Sequence, residues 1–146
     1  MAKSIRETAM DYLSRREHST HELYQKLFKK DFSANDIELA LEQLTQDNLL
    51  SDERFTEAFI HHRWQRGSGP LKIRAELRQK GLSDAMIARF LNERDDKWRE
   101  SAQHVRVKKY GANFPTELKE KARQARFLQS RGFSSEQTRY AIRDDD

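Results

Sequence analysis

The sequence contains no cysteine. Disulfides, thiolate nucleophiles and cysteine-based zinc sites are therefore excluded, and the absence fits a reducing cytoplasm. Glycine and proline are scarce, with five and two in 146 residues. Few β-branched runs occur either, and Ala, Leu, Glu, Lys, Gln and Arg dominate, which is helix-favouring material. No apolar run approaches the roughly 20 residues of a membrane span. The opening Met1-Ala2-Lys3-Ser4-Ile5-Arg6-Glu7 has no apolar signal core, so export is not expected. Also missing are a Gly-x-Ser-x-Gly elbow, a phosphate-cradling Gly-x-x-x-x-Gly-Lys-Ser/Thr loop and a dinucleotide Gly-x-Gly-x-x-Gly turn. Gly67-Ser68-Gly69 is too short for either phosphate loop and follows no strand pattern.

Charged residues, at 36%, are as abundant as hydrophobic ones. That is too polar for one thick core and suits a thin structure whose helices each bury one stripe. The net charge of +4 hides an asymmetry. Residues 1–60 carry 8 Lys/Arg against 12 Asp/Glu, a net of −4, and residues 61–146 carry 20 against 12, a net of +8. A basic C-terminal part points to a polyanionic partner, nucleic acid or an acidic protein surface.

Self-similarity organises the chain. A shift of fifty places Ile5 on Phe55, Leu23 on Ile73, Leu27 on Leu77, Ile37 on Ile87 and Leu41 on Leu91. A shift of fifty-one then places Leu77 on Leu128, Gly81-Leu82-Ser83 on Gly132-Phe133-Ser134 and Leu91 on Ile142. The first helix of the third unit needs a shift near forty-three, which brings Phe55 onto Trp98. Each unit reads as three short helices. Ile5, Thr8, Ala9, Tyr12 and Leu13 follow helical spacing. Ser19-Thr20-His21-Glu22 is a capping box opening a helix through Phe28, and Ser33 caps the next. In the second unit Ser51 opens a helix with Phe55, Ala58, Phe59 and His62 on one face. Pro70 suits a first helical turn, and Gly81 a left-handed stop before Ser83. The third unit is expected to run a helix through Tyr110, break at Gly111, restart at Pro115 and stop at Gly132 before Ser134.

The expected fold is all-α: three tandem three-helix repeats, at 1–50, 51–94 and 95–146, in an elongated, curved solenoid. A single unit cannot bury its apolar stripe alone, whereas stacked neighbours can. Such a body offers a docking surface and no enclosed pocket of the enzyme type.

No catalytic constellation emerges. His18 and His21 straddle a helix start, His61 and His62 point about 100° apart on a helix, and His104 stands alone. Asp52-Glu53 and Asp95-Asp96 serve helix dipoles, and Asp144-Asp145-Asp146 reads as a solubilising tail. No metal and no cofactor is expected.

A basic stretch surrounds the central break, with Arg63, Trp64, Arg66, Lys72, Arg74, Arg78 and Lys80 against the single acid Glu76. Lys72 and Arg74 flank a helix start, whose free N–H groups favour anions. We read the stretch as a site for phosphates or partner carboxylates, the competing reading being pairing with acids of its own unit. Trp64 fits base stacking and core packing alike. A second basic run holds Arg106, Lys108, Lys109, Lys119, Lys121, Arg123, Arg126 and Arg131. It fits a binding role, and it equally fits compensation of helix dipoles.

Four blocks resemble one family. Asn48-Leu49-Leu50-Ser51-Asp52-Glu53-Arg54-Phe55 with Ala58-Phe59-Ile60 and Arg63 is similar to the middle signature of bacterial RecX regulatory proteins. Gly69-Pro70-Leu71-Lys72-Ile73-Arg74-Ala75-Glu76-Leu77 with Lys80-Gly81-Leu82 resembles the core of that family. Arg16, His18-Ser19, Glu22-Leu23 and Lys26-Leu27 resemble its opening, and Arg126-Phe127-Leu128 with Arg131-Gly132-Phe133-Ser134 its close. The resemblance implies a monomeric cytoplasmic modulator of the RecA recombinase filament, active in recombination, DNA repair and the SOS response. It would lie along the filament and suppress recombination, ATP hydrolysis and co-protease activity. Some members also bind DNA, so single- or double-stranded DNA joins the expected partners. No membrane partner is implied. The alternative is a stand-alone nucleic-acid-binding helical module. The two basic runs place the binding expectations on Arg63, Trp64, Arg66, Lys72, Arg74, Arg78, Lys80, Lys108, Lys109, Lys119, Arg123 and Arg126.

Overall fold

The computed structural model describes residues 2–143; the acidic tail Asp144–Asp146 lies outside them. Among the described residues there are nine helices and no strand. They are α1 Ile5–Arg15, α2 Thr20–Phe28, α3 Ala34–Gln46, α4 Asp52–Gln65, α5 Pro70–Gln79, α6 Asp84–Phe90, α7 Lys97–Tyr110, α8 Leu118–Ser130 and α9 Ser135–Ile142. The fold is an all-α repeat.

Serine writes most of the helix starts. Ser4, Ser19, Ser33, Ser51, Ser83 and Ser134 each accept from the N–H three residues on, at 3.1–3.2 Å. This satisfies one of the N–H groups that an α-helix leaves unpaired. Ser19 with Glu22, and Ser134 with Gln137, form complete capping boxes. Proline marks one start and misses another. Pro70 is the first residue of α5, but α8 begins at Leu118, three residues beyond Pro115. Pro115 is buried in the connection instead.

The shared face of α4 is only partly buried. Phe55, Thr56 and Ile60 are buried, Phe59 and Arg63 half-buried, and Ala58 and His62 exposed. Thr56 tolerates burial because its hydroxyl donates to the Asp52 carbonyl at 2.7 Å.

The chain divides into two compact units. One contains the described residues up to Phe59 with Leu77–Ile87, and the other Ile60–Glu76 with the described residues from Ala88 on. The first buries Ala9, Leu23, Leu27, Ile37, Leu41, Leu44 and Leu50 in one cluster, with Tyr12, Leu13 and Phe32 packed against it. The second buries Ile73, Leu91, Trp98, Ala102, Leu128, Phe133 and Ala141. Each Leu, Ile or Phe among them contributes about 1.5–3 kcal/mol of burial.

One joint recurs in both units. In the first, Ser19 Oγ, at the start of α2, donates to the Lys80 carbonyl at the end of α5 at 2.7 Å. The next residue, Gly81, has φ +86, and a Cβ there would stand 2.4 Å from the His21 Cβ. In the second, the Gly69 N–H, at the start of α5, donates to the Arg131 carbonyl at the end of α8 at 2.7 Å. Gly132 follows with φ +99, and its Cβ would meet the Lys72 Cβ at 2.4 Å. Residues 19 and 69, and 80 and 131, are repeat equivalents under the shifts of fifty and fifty-one. Glycine is required twice over, for its φ and for its missing Cβ. The first repeat keeps the backbone turn at this position, with Asp31 at φ 69.

Candidate anion-binding surface

The second unit contains a groove of about 500 Å³ lined by Gln65, Arg66, Gly67, His104, Val105, Lys108, Lys109, Phe127 and Arg131. Three segments build it. The end of α4 closes with Ser68 N–H donating to the Arg63 carbonyl and Gly67 N–H to the Trp64 carbonyl, both at 3.0 Å. This turn brings Gly67 against α7, where a Cβ would lie 3.1 Å from Val105 Cγ2. From α7 come His104, Lys108 and Lys109, and from the end of α8 Phe127 and Arg131.

Four cations line the groove, and among the described residues no carboxylate does. Two of the cations rest on an aromatic face. Lys109 Nζ lies 4.8 Å from the Phe127 ring centroid, and the Arg131 guanidinium 5.2 Å from the same ring. Tyr110 meets Phe127 edge-on at 5.6 Å, which fixes the ring. Cation–π contact at exposed sites is worth about 0.5–1 kcal/mol and leaves the charge uncancelled. The groove therefore presents concentrated positive potential to an anion.

The groove separates the sequence candidates. Arg66, Lys108 and Lys109 line it, although they come from two distant basic runs. Five others are committed to acids. Arg63 pairs with Glu76 at 3.3 Å, Arg78 with Asp84 at 2.7 Å, Lys80 with Glu22 at 3.0 Å and Arg123 with Glu120 at 2.8 Å. Arg74 pairs with Glu93. Lys72, Lys119 and Arg126 are exposed; Lys72 also packs its Cβ toward Gly132. Trp64 is 37% exposed, with His61 tilted against it at 5.8 Å and Lys97 Nζ 5.6 Å away. Arg131, from the second basic run, joins Arg66, Lys108 and Lys109, and His104 and Phe127 complete the groove. His104 stands just before that run and Phe127 within it, and neither carries a charge that would have marked it.

Two further charged arrangements matter. In the first unit the buried Glu22 carboxylate accepts two bonds from Arg16, at 2.9 and 2.8 Å, and one from Lys80 at 3.0 Å. Burial raises its pKa, but the bonds from Arg16 and Lys80 win and hold it at about 2. Beside it, the buried His18 ring donates Nδ1–H to the Arg16 carbonyl at 3.1 Å, so Nε2 accepts from Lys26 at 2.9 Å. Burial, with Arg16 and Lys26, holds the His18 pKa below its usual value despite the Arg16 carbonyl and the Glu22 carboxylate. In the second unit Arg106 has no exposed surface. Its Nη1 donates to the carbonyls of Gly111 at 3.3 Å and Asn113 at 3.2 Å, and its guanidinium lies 4.6 Å from the Phe114 ring.

A larger groove of about 760 Å³ lies in the first unit. It is lined by Thr20, His21, Tyr24, Glu38, Leu41, Glu42, Thr45, Gln46, Asp52 and Gly81, with acids and no Lys or Arg. Among the described residues, no three His, Asp or Glu side chains gather as a metal ion would require. No helix of the described residues is long and apolar enough to cross a membrane.

Comparison with known proteins covers nearly the whole chain. Residues 6–44 match the family profile described as the first three-helix domain of RecX, residues 51–91 the second, and residues 95–142 the third. The chain is 39% identical over 140 residues to the regulatory protein RecX of Halorhodospira halophila, covering 96% of this chain and 87% of that one. It is 43% identical over 130 residues to the regulatory protein RecX of Pseudomonas syringae pv. tomato, covering 89% and 84%. It is 40% identical over 142 residues to the regulatory protein RecX of Vibrio vulnificus, covering 97% and 93%. Two solved structures share the fold. A crystal structure of regulatory protein RecX superposes with a TM-score of 0.82 at 24% identity, covering 97% of this chain and 72% of that one. That of RecX from Lactobacillus salivarius superposes at 0.80 and 21%, covering 94% and 92%.

Proposed function

This chain belongs to the RecX family of regulatory proteins, and on that premise we propose that it is a regulator of the RecA recombinase filament. In this reading it acts as a monomer in the cytoplasm. It binds along the filament and restrains strand exchange, ATP hydrolysis and co-protease activity through contact, without catalytic residues of its own. Its three repeats would be 1–50, 51–94 and 95–146.

One observation carries the reading. Arg66, Lys108, Lys109 and Arg131 converge on a groove that no carboxylate of the described residues lines. A surface so charged gains from an acidic protein face or a phosphate backbone and costs little to keep in water. The ion-paired Arg63, Arg74, Arg78, Lys80 and Arg123 already answer acids of this chain, and Lys72, Lys119 and Arg126 are assigned to long-range attraction.

The test is inhibition of filament ATP hydrolysis by the double variant K108E/K109E. Both residues are exposed, so the fold should survive. Inhibition should fall at least tenfold; unchanged inhibition would remove the groove from the reading.

The groove also supports a second reading, direct binding of nucleic acid, because Phe127 stands among its cations. That reading requires tight binding to naked DNA. Its salt dependence would be a log–log slope of roughly −3 to −4 if about four phosphates are neutralised.

A further inference from the structure

Arg106 breaks the usual accounting of a protein interior. A guanidinium stays protonated in proteins, and burying it without a countercharge is costly. Arg106 is fully buried, yet among the described residues no acidic side chain pairs with it, and none supplies an acceptor to Nε or Nη2. Burial pushes its pKa down. The two unserved atoms have a particular geometry. Nε–H and one Nη–H of an arginine point the same way along one edge of the plane, and that edge matches the two oxygens of a carboxylate. Nη1 is spent on two backbone carbonyls.

The repeat register says what the edge lacks. The shift that brings Phe55 onto Trp98 brings Arg63 onto Arg106, and Arg63 has a carboxylate, Glu76. The shift of fifty-one brings Glu76 onto Phe127. The third repeat has kept the arginine and lost its acid. Its core is also polar where the others are aliphatic. Gln124 stands for Leu23 and Ile73, and Thr138 for Ile37 and Ile87, and each keeps a buried oxygen without a partner among the described residues. Interiors that break packing rules in this way are expected at functional sites.

We propose that Arg106 is a receptor for a carboxylate on an acidic segment of a protein partner, covered in the free protein by residues 111–117. The cover is lightly held. Two hydrogen bonds at the long end of the range and the face of Phe114 are its contacts with Arg106, while Gly111, Ala112 and Asn113 are exposed. Lifting it exchanges two long bonds for a bidentate, charge-assisted pair. The inference rests on the regulatory reading only in taking the partner to be a protein.

The experiment uses the full chain, with amide hydrogen exchange of residues 111–117 and thermal melts, for wild type, R106M and R106K. The probes are a capped hexaglutamate peptide and a thymidine oligonucleotide of equal charge, at matched salt. Hexaglutamate should speed exchange in 111–117. R106M should melt roughly 3 °C or more above wild type, because an apolar side chain of similar reach needs no countercharge, and should not show the exchange response. R106K keeps the charge without the fork and should weaken the peptide response at least tenfold, which retains the test if R106M misfolds. An unchanged exchange rate, an equal response in R106K, or a larger response to the oligonucleotide would overturn the proposal. The K108E/K109E variant separates the two claims, since it should lose filament inhibition and keep the loop response to hexaglutamate.

Discussion

Replacing Glu22 by glutamine isolates one charge at the joint of the first unit. Gln keeps the oxygen that accepts from the Ser19 N–H at 3.3 Å in the capping box, so the helix start survives. What disappears is the negative charge facing Arg16 and Lys80. The carboxyl pKa falls from 4.5 to about 2, which corresponds to about 3 kcal/mol at neutral pH. The partners are partly in water, Arg16 at 48% and Lys80 at 38% side-chain exposure, and solvent screens them. We therefore expect E22Q to lose about 2 kcal/mol at pH 7. The sign of the pH dependence follows from the lowered folded pKa. The charge contributes fully above 4.5 and is lost as pH falls from 4.5 toward 2, where Glu22 becomes protonated in both states. Urea denaturation of both proteins at pH 7, 4 and 2.5 reads this directly. The difference should shrink steadily and nearly close at the lowest pH. A difference of the same size at pH 7 and pH 2.5 would refute an electrostatic origin.

His18 should add a separate loss at milder acidity. Its folded pKa lies below 6.5, so its contribution is present above 6.5 and declines as pH falls beneath it; H18Q, followed by urea melts from pH 7.5 to 5, should flatten that decline. At the second joint, G69A places a Cβ 2.4 Å from the Gly132 carbonyl carbon. It should cost at least about 2 kcal/mol, measurable by thermal melting with no change in helicity at low temperature. By contrast, D31G relieves a left-handed residue at φ 69 and should stabilise by up to about 1 kcal/mol. A destabilised D31G would mean that the Asp31 side chain has a role beyond tolerating its φ.

The helix starts were legible because a cap is a local event. Ser19 and Glu22, or Ser134 and Gln137, lie three apart in the chain and need no tertiary knowledge. The repeat was legible because equivalent positions, such as Leu27, Leu77 and Leu128, face the same kind of interior. The α4 stripe does not by itself mark the buried face, because hydrogen bonds and ion pairs admit polar side chains there. Thr56 is buried once its hydroxyl finds the Asp52 carbonyl, and Arg63 is half-buried against Glu76. Pro115 was misplaced because proline suits extended connections as well as first turns. The groove was hidden for a different reason. The central basic stretch reads as continuous in sequence, but helical periodicity and ion pairing disperse it. Arg74, Arg78 and Lys80 turn to Glu93, Asp84 and Glu22. Arg66 instead meets Lys108, Lys109 and Arg131 from helices about forty to sixty-five residues away.

The most direct test of the central claim is co-sedimentation with RecA filaments for wild type, K108E/K109E and the control K29E/K30E, at one salt concentration. Lys29 and Lys30 are exposed at the end of α2, outside the groove, and the same charge is reversed in both variants. Wild type and K29E/K30E should pellet alike, and K108E/K109E should stay in the supernatant. Equal pelleting of all three, or equal loss in both variants, would show that bulk charge or another surface does the binding.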